Sequence, residues 1–353
     1  MSVLVAPASV HSRVRTAPFF AASAPSSRIA TFDFIKGALV LTMVLYHWLN
    51  YYIGIQWEGY RYIRFLTPSF IFISGFLISH VSLRAAYASD HARLRRHLFG
   101  RAMKLLIVFV ALNVFADLTV GSRLDLRDSD PSSLLTTAYG VFISEDGRAA
   151  FDILVSIAYF LMLVPIVVGM ARRMRLSLMA MAMAILTVVT VWGFTARTNP
   201  HIELLAIGFL GLAVGARRSN AFDRGRRHWV VLVLMYLVYI WAITRWNVLF
   251  PLQVVGVCLS LAGIYSIAEV WGTDRRLSRE IVLLGQYSLL SYVVQIAVLQ
   301  FLRAAFRGFQ PTGAALALPL IVTVVATVVT IELADRIRPR SRAFDRLYRT
   351  VFA

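Results

Sequence analysis

Lys36 and His47 stand on one apolar stretch, Lys36-Gly-Ala-Leu-Val-Leu-Thr-Met-Val-Leu-Tyr-His47, with ten residues between them. In a helix, eleven steps of ~100° return to nearly the same azimuth. Both side chains then share one face, roughly 16 Å apart along the axis. An imidazole can act as a base or as a nucleophile near neutral pH. An ammonium offers a point charge to phosphate. Asp33 lies one turn before Lys36 and is placed to pair with it. If the stretch crosses a bilayer, His47 is a titratable group well inside the membrane, where such groups are costly and mark functional sites. The plainer roles are a snorkelling or Asp33-paired lysine, and a histidine hydrogen-bonded between helices.

The elements that carry these residues follow from composition. The chain has 353 residues, 59% of them hydrophobic, and a mean hydropathy of +0.70. No soluble domain of this length has that balance, and the apolar runs recur along most of the chain. The expected fold is an all-α polytopic membrane protein of about ten transmembrane helices with both termini cytoplasmic. The expected spans are 33–53, 62–82, 98–120, 149–171, 176–194, 201–217, 228–245, 248–270, 280–303 and 312–333. Residues 1–27, rich in Ala, Ser, Pro and Arg, read as a disordered cytoplasmic tail. Residues 28–335 read as the transmembrane domain and 336–353 as a basic cytoplasmic tail. Pro131 to Ile143 reads as an interfacial or re-entrant piece.

The net charge of +18 does not call for nucleic acid. Arginines cluster in alternate short loops, which is an orientation signal. Arg93, Arg95 and Arg96, then Arg172, Arg173 and Arg175, then Arg275, Arg276 and Arg279 fall on one side. The long loop 121–148 on the other side is acidic on balance. Only two lysines occur, Lys36 and Lys104, and both lie inside apolar stretches. One cysteine, Cys258, gives no disulfide framework and no zinc spacing.

Several motifs together resemble the membrane acyltransferase-3 family. The first span carries Asp33, Lys36 and His47 in the family's order. The second reads Pro68-Ser-Phe-Ile-Phe-Ile-Ser74-Gly-Phe-Leu-Ile78, similar to its "FFxxSGFLI" segment. Arg101-Ala-Met-Lys104 resembles its Arg-x-x-Arg, and Leu284-Gly-Gln-Tyr-Ser-Leu-Leu-Ser-Tyr292 its "LGxxSxxxY". This chain departs from the commoner pattern at Lys36 and Lys104, where arginine is usual, and at Gln295, where many relatives carry histidine.

The resemblance implies an acyltransferase of the cell (inner) membrane. It would move an acyl group, often acetyl, from cytoplasmic acyl-CoA to a hydroxyl of a glycan or lipid-linked acceptor at the outer side. His47 would be the catalytic imidazole, with Asp33 beside Lys36. Lys36, Arg101 and Lys104 would meet the CoA phosphates, and Ser74 would line the path of the pantetheine arm or simply pack. No metal is called for. Expected partners are acyl-CoA, the carbohydrate or lipid-linked acceptor and membrane lipid, with a homodimer left open. At the outer level stand Asn50, Asn113, Asp117, Asp152, His201, Glu203 and Gln295. Glu203 is the acid singled out for acceptor binding or for orienting His47. The rival reading is a glycan or lipid transporter or flippase with His47 in a proton relay. It would favour matched Gly/Pro helix breaks, and no matched pair is visible.

Overall fold

The computed structural model describes residues 27–54, 58–83, 91–120, 136–144, 151–196, 199–217, 229–246, 249–273, 275–306 and 313–352. The expected tail 1–27, all but Ser27, and most of the acidic loop 121–148 lie outside the described residues, as do the loop arginines between residues 218 and 228. The described residues are helical, with no strand among them. In chain order the helices are α1 (Ser27–Tyr52), a single turn α2 (Tyr60–Ile63), α3 (Leu66–Leu77), α4 (His91–Val120), α5 (Ile153–Arg173), α6 (Leu178–Thr195) and α7 (Pro200–Ala216). They continue as α8 (Trp229–Arg245), α9 (Phe250–Trp271), α10 (Arg276–Gln286), α11 (Ser288–Ala305), α12 (Ala317–Ile337) and α13 (Arg342–Phe352).

Eight helical stretches are long and apolar enough to cross a membrane; α7 and α8, at 17 residues, are apolar but shorter. Their exposed faces carry Ile107, Phe115, Val188, Phe194, Val238, Trp241 and Val325. Side chains of this kind face hydrocarbon at no cost. The buried core runs from Phe32, Ile35, Leu39 and Met43 of α1 through Ile71 and Phe72 of α3 to Phe160 of α5 and Ile207 of α7. Without a hydrophobic drive between helices in lipid, close backbone approach supplies the packing. At the α3–α7 crossing, a Cβ on Gly75 would meet the Gly208 carbonyl, and one on Gly211 the Phe72 carbonyl.

Two expectations change form. The span expected at 280–303 is two helices. Tyr287 breaks them with φ −101° and ψ 28°, its hydroxyl donates to Asp335 Oδ1 at 2.9 Å, and Ser291 Oγ donates back across the break to the Leu284 carbonyl at 3.2 Å. The Ser291 bond takes up a carbonyl that the break leaves without its ladder partner. The segment 131–143 is described from residue 136, as a short helical piece ending in a π-turn at Gly140–Ser144. Phe142 packs on Phe109 of α4, and its carbonyl accepts from Tyr159 of α5 at 2.8 Å.

Within the region read as a basic tail, α13 docks against α10 and α12. Tyr348 is buried, its ring 5.2 Å from Tyr287, and the Arg338 guanidinium lies 4.5 Å over Tyr348. Asp345 bonds Arg338 at 2.6 Å and Arg349 at 2.8 Å. The Arg338 hydrogen bond, and behind it Arg349, hold the Asp345 carboxyl below its ordinary pKa. A depressed carboxylate contributes stability above its unfolded pKa of ~3.9 and loses it as pH falls through the folded value. Hydrogen exchange should therefore show α13 amides losing protection relative to α12 between pH 5 and pH 3. Asp345→Asn should show the weaker protection already at pH 7. A pH-independent α13 would mean that Tyr348 packing alone holds it.

Candidate functional site

α1 is unbroken from Ser27 to Tyr52, so the register that places Lys36 and His47 on one face is kept, with ~16 Å of rise between them. Lys36 Nζ lies 2.6 Å from Asp33 Oδ1, with the two side chains 20% and 12% exposed. The plainer role is thus observed, and any phosphate must share this lysine with Asp33. Thr31 Oγ1 donates to Glu269 Oε1 of α9 at 2.9 Å just below.

The depth of this turn is fixed by a glycine pair. A Cβ on Gly37 would strike the Ile281 carbonyl of α10, and one on Gly285 the Asp33 carbonyl. The two backbones are in contact. They hold α1 against α10 at the turn that carries the ion pair.

At the other end, the His47 imidazole is walled by rings. Tyr46 is edge-on at 4.9 Å, Tyr51 stacked at 6.3 Å, and Tyr292 of α11 tilted at 6.2 Å. The residue as a whole is half-buried, but its Nε2 atom is sealed and has no hydrogen-bond partner among the described residues. Behind Tyr292, Phe151 stands edge-on at 6.0 Å. Phe151 holds a left-handed backbone at φ 65°, a strained conformation for a bulky residue of the kind that gathers at functional sites. Trp48 Nε1 donates to the Leu316 carbonyl at 2.9 Å, which ties α1 to the turn before α12. A shallow open groove lined by Leu49, Glu58, Arg61 and Tyr62 lies just beyond His47.

The other expected site residues distribute as follows. Ser74 Oγ donates to the Phe70 carbonyl one turn back at 2.8 Å, and its neighbour Gly75 makes the α3–α7 crossing. Arg101 is exposed near the start of α4. Lys104 Nζ reaches the Arg349 carbonyl of α13 at 3.4 Å. Because Tyr348 seats on Tyr287, two residues past Gly285, Lys36 and Lys104 come to the same end of the bundle. Glu203 stands in the first turn of α7, where a carboxylate complements the helix dipole. Its close neighbour His201 has Nδ1 2.7 Å from Ser156 Oγ, with both residues buried.

Sequence reasoning missed this Ser156–His201 pair, the strained Phe151 and the Gly37–Gly285 contact. His201 stands at the outer level by sequence, but a partner 45 positions away carries no local signal. A family model described as an acyltransferase domain matches residues 29–334. No curated protein and no solved structure matches the chain.

Proposed function

We propose an activity from one premise: this chain belongs to the acyltransferase-3 family. It is a membrane acyltransferase, and its donor is acyl-CoA, most simply acetyl-CoA, entering from the cytoplasmic side of the cell membrane. Ten spans with both termini cytoplasmic put the Lys36 end at that side and the His47 end outward. The acceptor is a hydroxyl of a glycan or lipid-linked sugar, approaching from the outer side or from within the bilayer.

The observation that carries this reading is the sealed imidazole of His47 on the same unbroken helix as Lys36. The donor's phosphates stay at the mouth with Lys36, Arg101 and Lys104, where ammonium and guanidinium groups form charge-assisted hydrogen bonds. The narrow pantetheine arm spans the ~16 Å of α1 to His47. His47 Nε2, sealed from water, takes the proton of the acceptor hydroxyl or receives the acyl group itself. Exclusion of water keeps the thioester from hydrolysis. Asp33 holds Lys36 at the mouth, and Glu203 is assigned to the acceptor side.

The test is CoA release from acetyl-CoA by purified full-length protein, with a panel of glycan acceptors. Acceptor-dependent release establishes the reaction and begins to name its substrate. Neither binding nor release would hand the site to the transporter reading. The mouth has its own check. Lys36→Met keeps the aliphatic stem and removes a charged contact of ~1.5–3 kcal/mol, which corresponds to a rise of about 10–100-fold in Kd for CoA. Asp33→Asn/Lys36→Met removes both charges and serves as the folding control. Unchanged CoA affinity in both variants would remove Lys36 from the donor site.

A further inference from the structure

Gln295 of α11 is fully buried, and neither Oε1 nor Nε2 has a hydrogen-bond partner among the described residues. A buried amide group left unpaired costs about 1–3 kcal/mol, so such groups call for an explanation. Neighbouring contacts fix where this amide lies. Tyr292, three residues earlier on the same helix face, sets its ring 6.2 Å from that of His47. Arg303, two turns further on, lies 5.5 Å over the Tyr51 ring. Gln295 falls between these two contacts, on the face of α11 that meets α1.

Depth agrees. α1 and α11 rise in the same sense, since Tyr292 meets His47 and, further along both helices, Arg303 meets Tyr51. Gln295 is one turn beyond Tyr292, ~4.5 Å along α11 from the residue whose ring meets His47. The buried Gln295 amide and the sealed Nε2 of the half-buried His47 thus lie near one level on neighbouring helices, and neither has a partner among the described residues.

We propose that Gln295 binds the acyl carbonyl at His47, its Nε2–H donating to the thioester carbonyl oxygen. This rests on the acyl-transfer reading of the site and adds a catalytic residue to it. In direct transfer, the acceptor oxygen bonds to the acyl carbon as its proton passes to His47 Nε2. The carbonyl π pair moves onto the oxygen that faces Gln295. Its return breaks the C–S bond, and the CoA thiolate leaves with the proton from His47. A covalent acyl-imidazole passes through the same oxyanion. A donor already in place where this charge develops, away from water, costs no reorganisation at the moment of reaction.

The experiment is infrared spectroscopy of acetyl-CoA labelled with ¹³C at the carbonyl, bound to the full-length protein, together with CoA-release kinetics. In the wild type the carbonyl band is expected at lower frequency than in free acetyl-CoA. Gln295→Met keeps the volume and removes both polar atoms. It should return the band to the free position and lower kcat by ~10²–10³-fold, with little change in acetyl-CoA affinity. Gln295→Asn withdraws the same amide by one methylene and should give the same two losses if the Met variant does not fold. An unshifted band in the wild type overturns the proposal whatever the variants do, as does a folded variant with wild-type kcat. If the wild type releases no CoA, or releases it without His47, the acyl-transfer reading has failed and this proposal falls with it. An indifferent Gln295 in a His47-dependent enzyme defeats this proposal alone.

Discussion

His47→Gln is expected to lower acceptor-dependent CoA release by ~10²–10⁴-fold while acetyl-CoA binding stays close to wild type. Glutamine matches the imidazole in size and polarity, so the ring-lined space around position 47 stays filled. What is lost is a group that can hold a proton or an acyl group near neutral pH. Lys36 sits ~16 Å away on the same helix, and the other proposed phosphate cations, Arg101 and Lys104, are on α4, so all three are untouched. The loss should therefore fall on kcat, with KM for the donor nearly constant, the pattern of an interaction made only in the transition state. Folding is checked separately by the thermal transition in detergent. A folded His47→Gln protein with more than a tenth of wild-type turnover would remove His47 from the chemistry. A coupled fall in affinity and turnover would instead assign it a structural role between α1 and α11.

Gly285→Val is expected to abolish the folded protein, or to lower its thermal midpoint by many degrees. A side chain there would run into the Asp33 carbonyl, and the reciprocal position Gly37 already lies against the Ile281 carbonyl. Overpacking costs ~1–3 kcal/mol where side chains can yield. Here the obstacle is backbone on both sides, and relief requires moving α1 away from α10. That movement would carry the Asp33–Lys36 turn with it and shift His47 relative to Tyr292. Gly263→Val in α9 is the control, because nothing stands within 4 Å of a Cβ at that position. Equal thermal midpoints for the two variants would show that the crossing does not depend on backbone contact.

The line from Lys36 to His47 was legible because a helix of fixed pitch turns spacing into geometry, and α1 has no break to disturb it. The Asp33–Lys36 pair was legible for the same reason, at a separation of one turn. Spans were legible because lipid admits few ways to satisfy the backbone. Contacts between helices were not. Gly37 and Gly285 are ordinary glycines in apolar runs until the fold lays one helix on the other. Ser156 and His201 are joined only by the packing of α5 against α7. The break at Tyr287 depends on Asp335, and α13 depends on Tyr348, Phe344 and Phe352 finding α10 and α12. In residues 336–353 the arginines outnumber the apolar residues that form the buried side of α13, so the sequence pattern there is one of charge. Gln295 was visible as a polar residue at the outer level, but its lack of a protein partner is a property of the assembled bundle.

A catalyst open to a donor at one face of a membrane and an acceptor at the other risks becoming a proton leak. Hopping needs an unbroken chain of hydrogen bonds. At His47 that chain stops among the described residues, because no hydrogen bond continues from Nε2, and the rings of Tyr46, Tyr51 and Tyr292 close around it. The tyrosine collar is thus an insulator as well as a wall of the site. Under the proposed function, it would let an acyl group cross the membrane's thickness while the ion gradient across that membrane stays charged.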